Sequence, residues 1–184
     1  MPTQNDALPL HISIMRADEL SDTQRKDILD LCNRAYNEDL DALMETFDNP
    51  THVLGYCDGK LGSHAMWVTR VLQVGTLAPM RTAYIEAVAT DPAYQRRGFA
   101  GALMQRLAAE IQDFDLGGLS PFSVDYYARF GWELWRGPLF IRTEQGWLAS
   151  PPDEHVMILR LPNTPLDLDI TQPLSAEWRE GEIW

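Results

Sequence analysis

Apolar and polar positions alternate along this chain with two periods, and the switches between them mark its elements. His11–Arg16 alternates as a half-buried strand does. Ser21 and Gln24 have the spacing of a capping box, and Ile28, Leu31, Cys32 and Ala35 then fall on one helical face. A second helix is expected over Leu40–Phe47, with Leu40, Leu43, Met44 and Phe47 inward. His52–Tyr56 and Leu61–Val74, parted by Gly59, read as a hairpin of one shorter and one longer strand. Arg81–Thr90 is the next strand. Phe99, Leu103, Leu107 and Ile111 then recur at helical spacing against Gln105, Arg106, Glu110 and Gln112, which predicts a helix from about Gly98 to Phe114. Gly117–Ser120 reads as a short buried strand, and Val124–Phe130 as a short helix closed by Gly131. Trp132–Ile141 and His155–Leu161 are expected as strands about a polar loop near Pro151–Glu154. Residues 1–9 read as a loose tail, and the chain becomes irregular and acidic from Pro162. The order β, α, α, three strands, α, β, α, β, β predicts an α/β fold, a mixed sheet with helices on both faces.

A chain of 184 residues suits a single domain, 1–184, with a substantial core. A net charge of −12 argues against nucleic acid and anionic membrane as partners and suits a cationic ligand. Cys32 and Cys57 form no CxxC, so a disulfide framework and a thiolate zinc site are not expected. His11, His52, His64 and His155 share no metal-ligand spacing and read as strand or surface residues. No metal is expected. No apolar run reaches bilayer length, and MPTQNDALPL lacks the basic and apolar regions of a signal peptide, so a cytoplasmic location is expected.

The most informative stretch is Tyr84–Met104. A strand-forming run, Tyr84–Ala89, leads through Asp91-Pro92 into Gln95-Arg96-Arg97-Gly98-Phe99-Ala100, which opens directly into a helix. The first turn of a helix offers unpaired N–H groups and the positive end of the macrodipole. Gly98 and Ala100 let an anion approach that backbone, and Arg96 and Arg97 add charge, which makes a phosphate cradle. It is neither a Walker A loop nor a dinucleotide fingerprint, because the Gly-Lys-Ser/Thr ending and GxGxxG are both missing. Gln-x-x-Gly-x-Ala after EAVATDPAYQ resembles the pyrophosphate-binding turn of the GCN5-related N-acetyltransferases (GNAT). The resemblance implies acetyl-coenzyme A as co-substrate, held by Val88, Ala89, Thr90, Gln95, Arg96, Arg97, Gly98, Phe99, Ala100 and Gly101. It also implies the GNAT fold: a mostly antiparallel mixed sheet in which a parallel strand pair splays apart to admit the pantetheine arm.

Acetyl transfer to an amine needs a base for the ammonium, a donor for the oxyanion and a proton for the leaving thiolate. Glu86, between Ile85 and Ala87 on a central strand, is a costly place for a carboxylate without a task or a partner. It is the candidate general base, acting directly or through water; otherwise its side chain points to a solvated edge. Val88 shares its face, and the resemblance makes the Val88 N–H the oxyanion donor, with main-chain groups of Val88 and Thr90 pairing to the pantetheine amides. Tyr127, four residues before Gly131, matches the family's Tyr-x-x-x-Gly-Trp and is the implied general acid. Tyr126 reads as packing.

Trp135-Arg136-Gly137-Pro138 and Trp178–Trp184 resemble the aminoglycoside 2′-N-acetyltransferases, which acetylate an amine of a polycationic aminosugar antibiotic. The resemblance implies that residues 166–184 form an acceptor-site segment, with Glu182 and the indole and main-chain carboxylate of Trp184 against the drug's ammonium groups. Members of that subfamily carry aspartate where Glu182 stands, which leaves the drug preference open. The acids Glu38, Asp39, Asp41, Glu45 and Asp48 read mostly as a solvated face with one or two turned to a cleft; Asp39, Asp153 and Glu154 match further drug-facing positions. Another small amine as acceptor, or a non-catalytic coenzyme A-binding module, are the alternatives, and Glu86 with Tyr127 argues against the module. The resemblance further implies a homodimer, which no segment of the sequence marks.

Overall fold

Lys60–Val74 (β3) and Met80–Thr90 (β4) are the longest strands of the computed structural model, which describes residues 9–184. All but Pro9 of the expected 1–9 tail lies outside the described residues. Side chains alternate along both strands. Met66, Val68, Leu72 and Tyr84 enter one core, whereas Ala65, Trp67, Ala83 and Ile85 enter another on the opposite face. Both faces are covered, so these strands read as nearly continuous apolar runs. Phe99–Glu110 (α3) buries Phe99, Leu103 and Leu107, as its periodicity predicts, and packs Leu103, Met104 and Leu107 with Ala65, Ile85 and Val53 of Thr51–Cys57 (β2). Asp22–Tyr36 (α1) packs Ile28, Leu31 and Cys32 on Leu54 and Ala89. Leu54 alternates with Val53 along β2, so α1 and α3 lie on opposite faces. The capping box forms: Ser21 Oγ accepts from Gln24 N at 3.2 Å, and Gln24 Oε1 accepts from Ser21 N at 2.9 Å.

Leu10–Arg16 (β1) pairs with β2, which pairs with the first half of β3. Beyond β4 lie Leu116–Leu119 (β5), Met157–Arg160 (β9) and Glu133–Leu134 (β6); beyond the second half of β3 lie Leu174–Glu177 (β10), Leu139–Thr143 (β7) and Gly146–Ala149 (β8). Two pairings are parallel, β4 with β5 and β10 with β7, and the others are antiparallel. Asp41–Glu45 (α2) and Val124–Ala128 (α4) complete the described strands and α-helices, and no helix among the described residues is long and apolar enough to cross a membrane.

The C-terminal third departs from expectation. Trp132–Ile141 is not one strand but two, β6 on β9 and β7 on β10, with Trp135–Pro138 crossing between them. β8 and β10 were not expected at all. β10 lies in the stretch read as irregular, because Leu-Ser-Ala-Glu after Pro173 has little intrinsic strand preference. Its backbone is held from both sides, by β3 and by β7. The Trp135–Pro138 crossing fixes this segment. Trp135 Nε1 donates to Gln172 O at 3.0 Å, Arg136 N and Gly137 N donate to Ile170 O at 3.0 and 2.9 Å, and Leu174 N donates to Pro138 O at 2.9 Å.

Gly137 is where the two segments come closest. A Cβ there would meet the Gln172 carbonyl oxygen at 2.0 Å, a contact with backbone that no rotamer relieves. Gly137→Ala is therefore expected to cost about 2 kcal/mol or more, the scale of overpacking a rigid site. For a chain of this size that lowers Tm by at least about 4 °C. Thermal unfolding of the purified variant measures it, and an unchanged Tm would mean that the 170–174 segment is not held against this crossing.

Candidate active site

The parallel pairing of β4 with β5 runs from Thr82↔Leu116 to Ile85↔Leu119 and stops, because β5 ends and Pro121, with no N–H, follows. β4 continues alone on that side through Glu86–Thr90. On its other side the register with β3 slips between His64 and Met66, and Ala87 takes a left-handed backbone with φ of 48°. This is a β-bulge, which bends β4 away from β5 and re-aims the side chains next to it. It opens the V between the two parallel strands in which Glu86, Val88 and Tyr127 meet.

One side of the V is the cradle. Asp91 Oδ1 accepts from Ala93 N at 2.9 Å, and its Oδ2 takes both Arg34 Nε and Nη2, at 3.0 and 2.7 Å. The turn then passes through two left-handed residues, Arg96 at φ of 63° and Gly98 at φ of 82°, before α3 begins. The first intrahelical bond here is Ala102 N to Gly98 O, so the N–H groups of residues 99–101 have no acceptor within the helix. A Cβ placed on Gly98 would meet nothing within 4 Å. A cavity of about 670 Å³ lies against this end, lined by Val88, Ala89, Thr90, Gln95, Arg96, Gly98, Phe99, Ala100 and Gly101 from the expected set. Arg97 does not line it; its guanidinium lies over the Tyr94 ring, 5.4 Å from the centroid. Arg129 and Tyr126 of the α4 region line the cavity instead. Val88 O already accepts from the Tyr36 hydroxyl at 3.1 Å, and Thr90 O from Gln95 Nε2 at 3.3 Å. Each carbonyl keeps one lone pair for an extended ligand. Open backbone donors, two arginines and room for a long molecule fit a diphosphate carrying a pantetheine arm.

The other side is an acidic cavity of about 220 Å³, lined among others by Tyr36, Glu38, Phe47, Glu86, Tyr127, Glu182 and Trp184. A neighbouring cavity of about 440 Å³ shares Ser120, Glu182 and Trp184 with it and adds Glu154. Tyr36, Val88 and Phe122 line both the acidic cavity and the cradle cavity, so the two meet at Val88.

Glu86 is the most perturbed acid here. Its side chain is 13% exposed, and burial raises its pKa to about 7. Arg179, with Nη1 at 3.9 Å, and Arg70 oppose the rise, while Glu182 adds to it. An ion pair at that distance is too long to offset the lost hydration, so burial prevails. Arg179 is held back by Thr46 Oγ1 at 3.0 Å and by the Phe47 ring, 4.7 Å from its guanidinium carbon. Tyr127 is buried, and desolvation followed by Tyr36 and Tyr126 raises its hydroxyl pKa, so it stays protonated and can donate. Burial, then Asp153 and Glu182, raises Glu154 as well.

Residues 16–135 match the family described as Acetyltransferase (GNAT) domain. An aminoglycoside 2′-N-acetyltransferase from Mycolicibacterium fortuitum is 30% identical over 131 residues, 68% of this chain and 67% of that protein. The chain belongs to the GNAT acetyltransferase family. Its fold is similar to that of a GNAT family N-acetyltransferase from Escherichia coli in complex with CoA, with a TM-score of 0.64 at 15% identity over 92% of this chain and 90% of that one. It also matches Eis1 from Mycobacterium abscessus, with a TM-score of 0.60 and 20% identity, over 72% of this chain but only 33% of that longer chain.

Within this GNAT chain the structure brings Glu86, Val88, Tyr127, Glu182 and Trp184 to one cavity. It does not bring Asp39 or Asp153 there. The Asp39 carboxylate turns to the Asp41 N–H at 3.0 Å, and the preceding Glu38 lines the cavity. Asp153 is exposed, and Glu154 takes the cavity position. Trp178 is 62% exposed, whereas Trp184 is buried in the core with Nε1 donating to Ser150 Oγ at 2.7 Å. The end of the chain is thus anchored in the core through Trp184. Tyr36 was missed, although it follows Cys32 by four residues on α1 and so stands on the same side of the helix, where its hydroxyl reaches Val88 O although the residue is 45% exposed.

Proposed function

We propose that this protein transfers an acetyl group from acetyl-coenzyme A to an amine of a polycationic small molecule, with an aminoglycoside as the acceptor class. The observation that carries the reading is the set of four carboxylates, Glu38, Glu86, Glu154 and Glu182, around two adjoining cavities with Trp184 and Tyr36 in their walls. Glu86 and Glu154 are partly buried, and Glu38 and Glu182 stand exposed beside them. Acids gathered around one opening repel one another, and a ligand with several ammonium groups relieves that repulsion while the aromatic walls receive the sugar rings. The relative from M. fortuitum supports the same acceptor class.

Acetyl-coenzyme A supplies the acetyl thioester. The α3 N-terminus with Arg96 and Arg129 holds its phosphates, and the exposed side of β4 orients its arm. Glu86, with a pKa near neutrality, accepts the proton of the acceptor ammonium. Val88 lines both cavities where they join, and its N–H would donate to the carbonyl oxygen of the thioester as negative charge develops on it. Tyr127 gives its proton to the departing sulfur.

The test is thiol release from acetyl-coenzyme A against aminoglycosides with and without a 2′-amine, alongside linear polyamines. Turnover confined to drugs bearing the 2′-amine is expected. Preference for the linear polyamines would favour the other small-amine reading, and thiol release with none would leave only the binding module. Glu182→Gln should raise the aminoglycoside KM about tenfold, equivalent to about 1.4 kcal/mol. Added salt should weaken the parent protein more than the variant. An unchanged KM would remove the tail from the acceptor site. Deleting Ile183–Trp184 is a poorer test, because Trp184 is core and Ile183 O accepts from buried Arg70 at 2.9 Å.

A further inference from the structure

Two histidines lie behind the bulge, away from both cavities of the V. His52 in β2 and His64 in β3 are 4% and 0% exposed, and their ring centroids are 5.3 Å apart. His52 Nδ1 lies 3.0 Å from His64 Nε2, and His64 Nδ1 lies 2.9 Å from the Ala87 carbonyl oxygen. A carbonyl can only accept, so His64 Nδ1 carries the hydrogen and donates it. His64 Nε2 is then a lone pair, and His52 Nδ1 must donate to it. One acceptor thus sets both tautomers. Burial lowers both pKa values, to about 4 for His52 and about 3 for His64, so the rings stay neutral near physiological pH and the two bonds keep their direction. The Cys32 thiol, 3.7 Å from His64 Nδ1, is raised by burial to about 12 and stays protonated.

The carbonyl that His64 holds belongs to the strained residue at the bulge. Ala87 is at φ of 48°, a region a residue with a Cβ enters only when its surroundings enforce it. If Ala87 relaxed to an extended backbone, the bulge would close and the register with β3 would slip by one residue. A one-residue slip turns neighbouring side chains to the other face of the sheet. Glu86 and Val88, on either side of Ala87, are the residues whose orientation relative to one another would change.

We propose that the His52–His64 pair is a positioning device for acetyl transfer: His64, oriented by His52, holds the Ala87 carbonyl and keeps the Glu86 carboxylate and the Val88 N–H aimed into the acidic cavity. This rests on the roles given to Glu86 and Val88 above. Neither histidine touches the reactants.

Two variants of similar polarity separate positioning from mere stability. An asparagine amide places its N–H where Nδ1 of the ring stands, whereas a glutamine amide reaches the place of Nε2. His64→Gln is expected to lower kcat about 10- to 100-fold, the scale of a misplaced reacting group. His64→Asn should stay within about threefold of the parent. Both should leave the acceptor KM and the Kd for coenzyme A within about twofold, and their Tm values should agree with each other. Equal kcat in the two variants, or full kcat in His64→Gln, would overturn the proposal. A measurement on the unsubstituted protein avoids folding defects altogether: two-bond ¹⁵N NMR of labelled histidine should show both rings neutral at pH 6, with hydrogen on Nδ1. Hydrogen on Nε2 of His64 would equally overturn it. The tautomers are independent of acceptor identity, so absence of turnover with every amine would count against the acetylation reading and not against this ring geometry.

Discussion

Gly98→Val is expected to raise the Kd for coenzyme A at least about 100-fold, a loss of about 2.7 kcal/mol. Gly98 sits at φ of 82°, just ahead of three N–H groups with no acceptor in the helix, and space beside its Cα is open. A phosphate that draws on those donors must pass over this Cα, where a branched side chain takes its place. Valine also strains the left-handed backbone, so fold and binding must be separated. Gly98→Asn does so, because asparagine tolerates that conformation while still adding bulk. Calorimetry on Gly98→Asn should show a near-parental Tm and the same loss of coenzyme A binding. Parental affinity in a folded Gly98→Asn would mean that the diphosphate does not lie over this turn.

What could be read from the chain was local. The cradle is a strand, a turn and a helix start within about twenty residues, each with its own signal in Asp91-Pro92, Gly98 and the Phe99–Leu107 spacing, and the structure has all three. The V itself could not be read, because it depends on a register slip between β3 and β4 that neither strand's sequence marks. The acidic wall was legible as a charge pattern but not residue by residue. Glu38 and Glu154 face the cavities and their neighbours Asp39 and Asp153 do not, a difference of one position that loop backbone decides. Arg97 and Arg129 exchanged places for a related reason. Tyr94 gives Arg97 a ring to lie on outside the cradle, whereas Arg129 reaches it from α4 only once the chain has folded. β10 is the clearest case of tertiary context overriding propensity, since its partners β3 and β7 are distant in sequence. His52 and His64 were rightly placed on strands, yet alternation alone could not show that two buried rings would meet behind Ala87.

Glu86→Gln and Tyr127→Phe should each lower kcat about 10²-fold, the usual scale for loss of a general base or acid. The pH profile tells the two apart. A base must be deprotonated to act, so with a pKa of about 7 the rate of the parent protein should rise with pH through neutrality, and Glu86→Gln should lose that limb. Tyr127→Phe should keep it, because the tyrosine is protonated on both sides of pH 7. Arg179→Gln supplies the converse. It removes the nearest positive charge from Glu86, so the limb should move to higher pH, whereas Glu182→Gln, which removes a negative one, should move it lower. Stability runs the other way from activity. Between pH 4.5, the ordinary value, and about 7, folded Glu86 retains a proton that the unfolded chain has lost, so its contribution to stability falls as pH rises through that range. Glu86→Gln never ionises and should therefore have a Tm at pH 8 equal to or above the parent's, so that a lost rate cannot be ascribed to unfolding. Parental turnover of Glu86→Gln across the whole pH range would take the base role from this carboxylate, and an unshifted limb in Arg179→Gln would show that the limb belongs to another group.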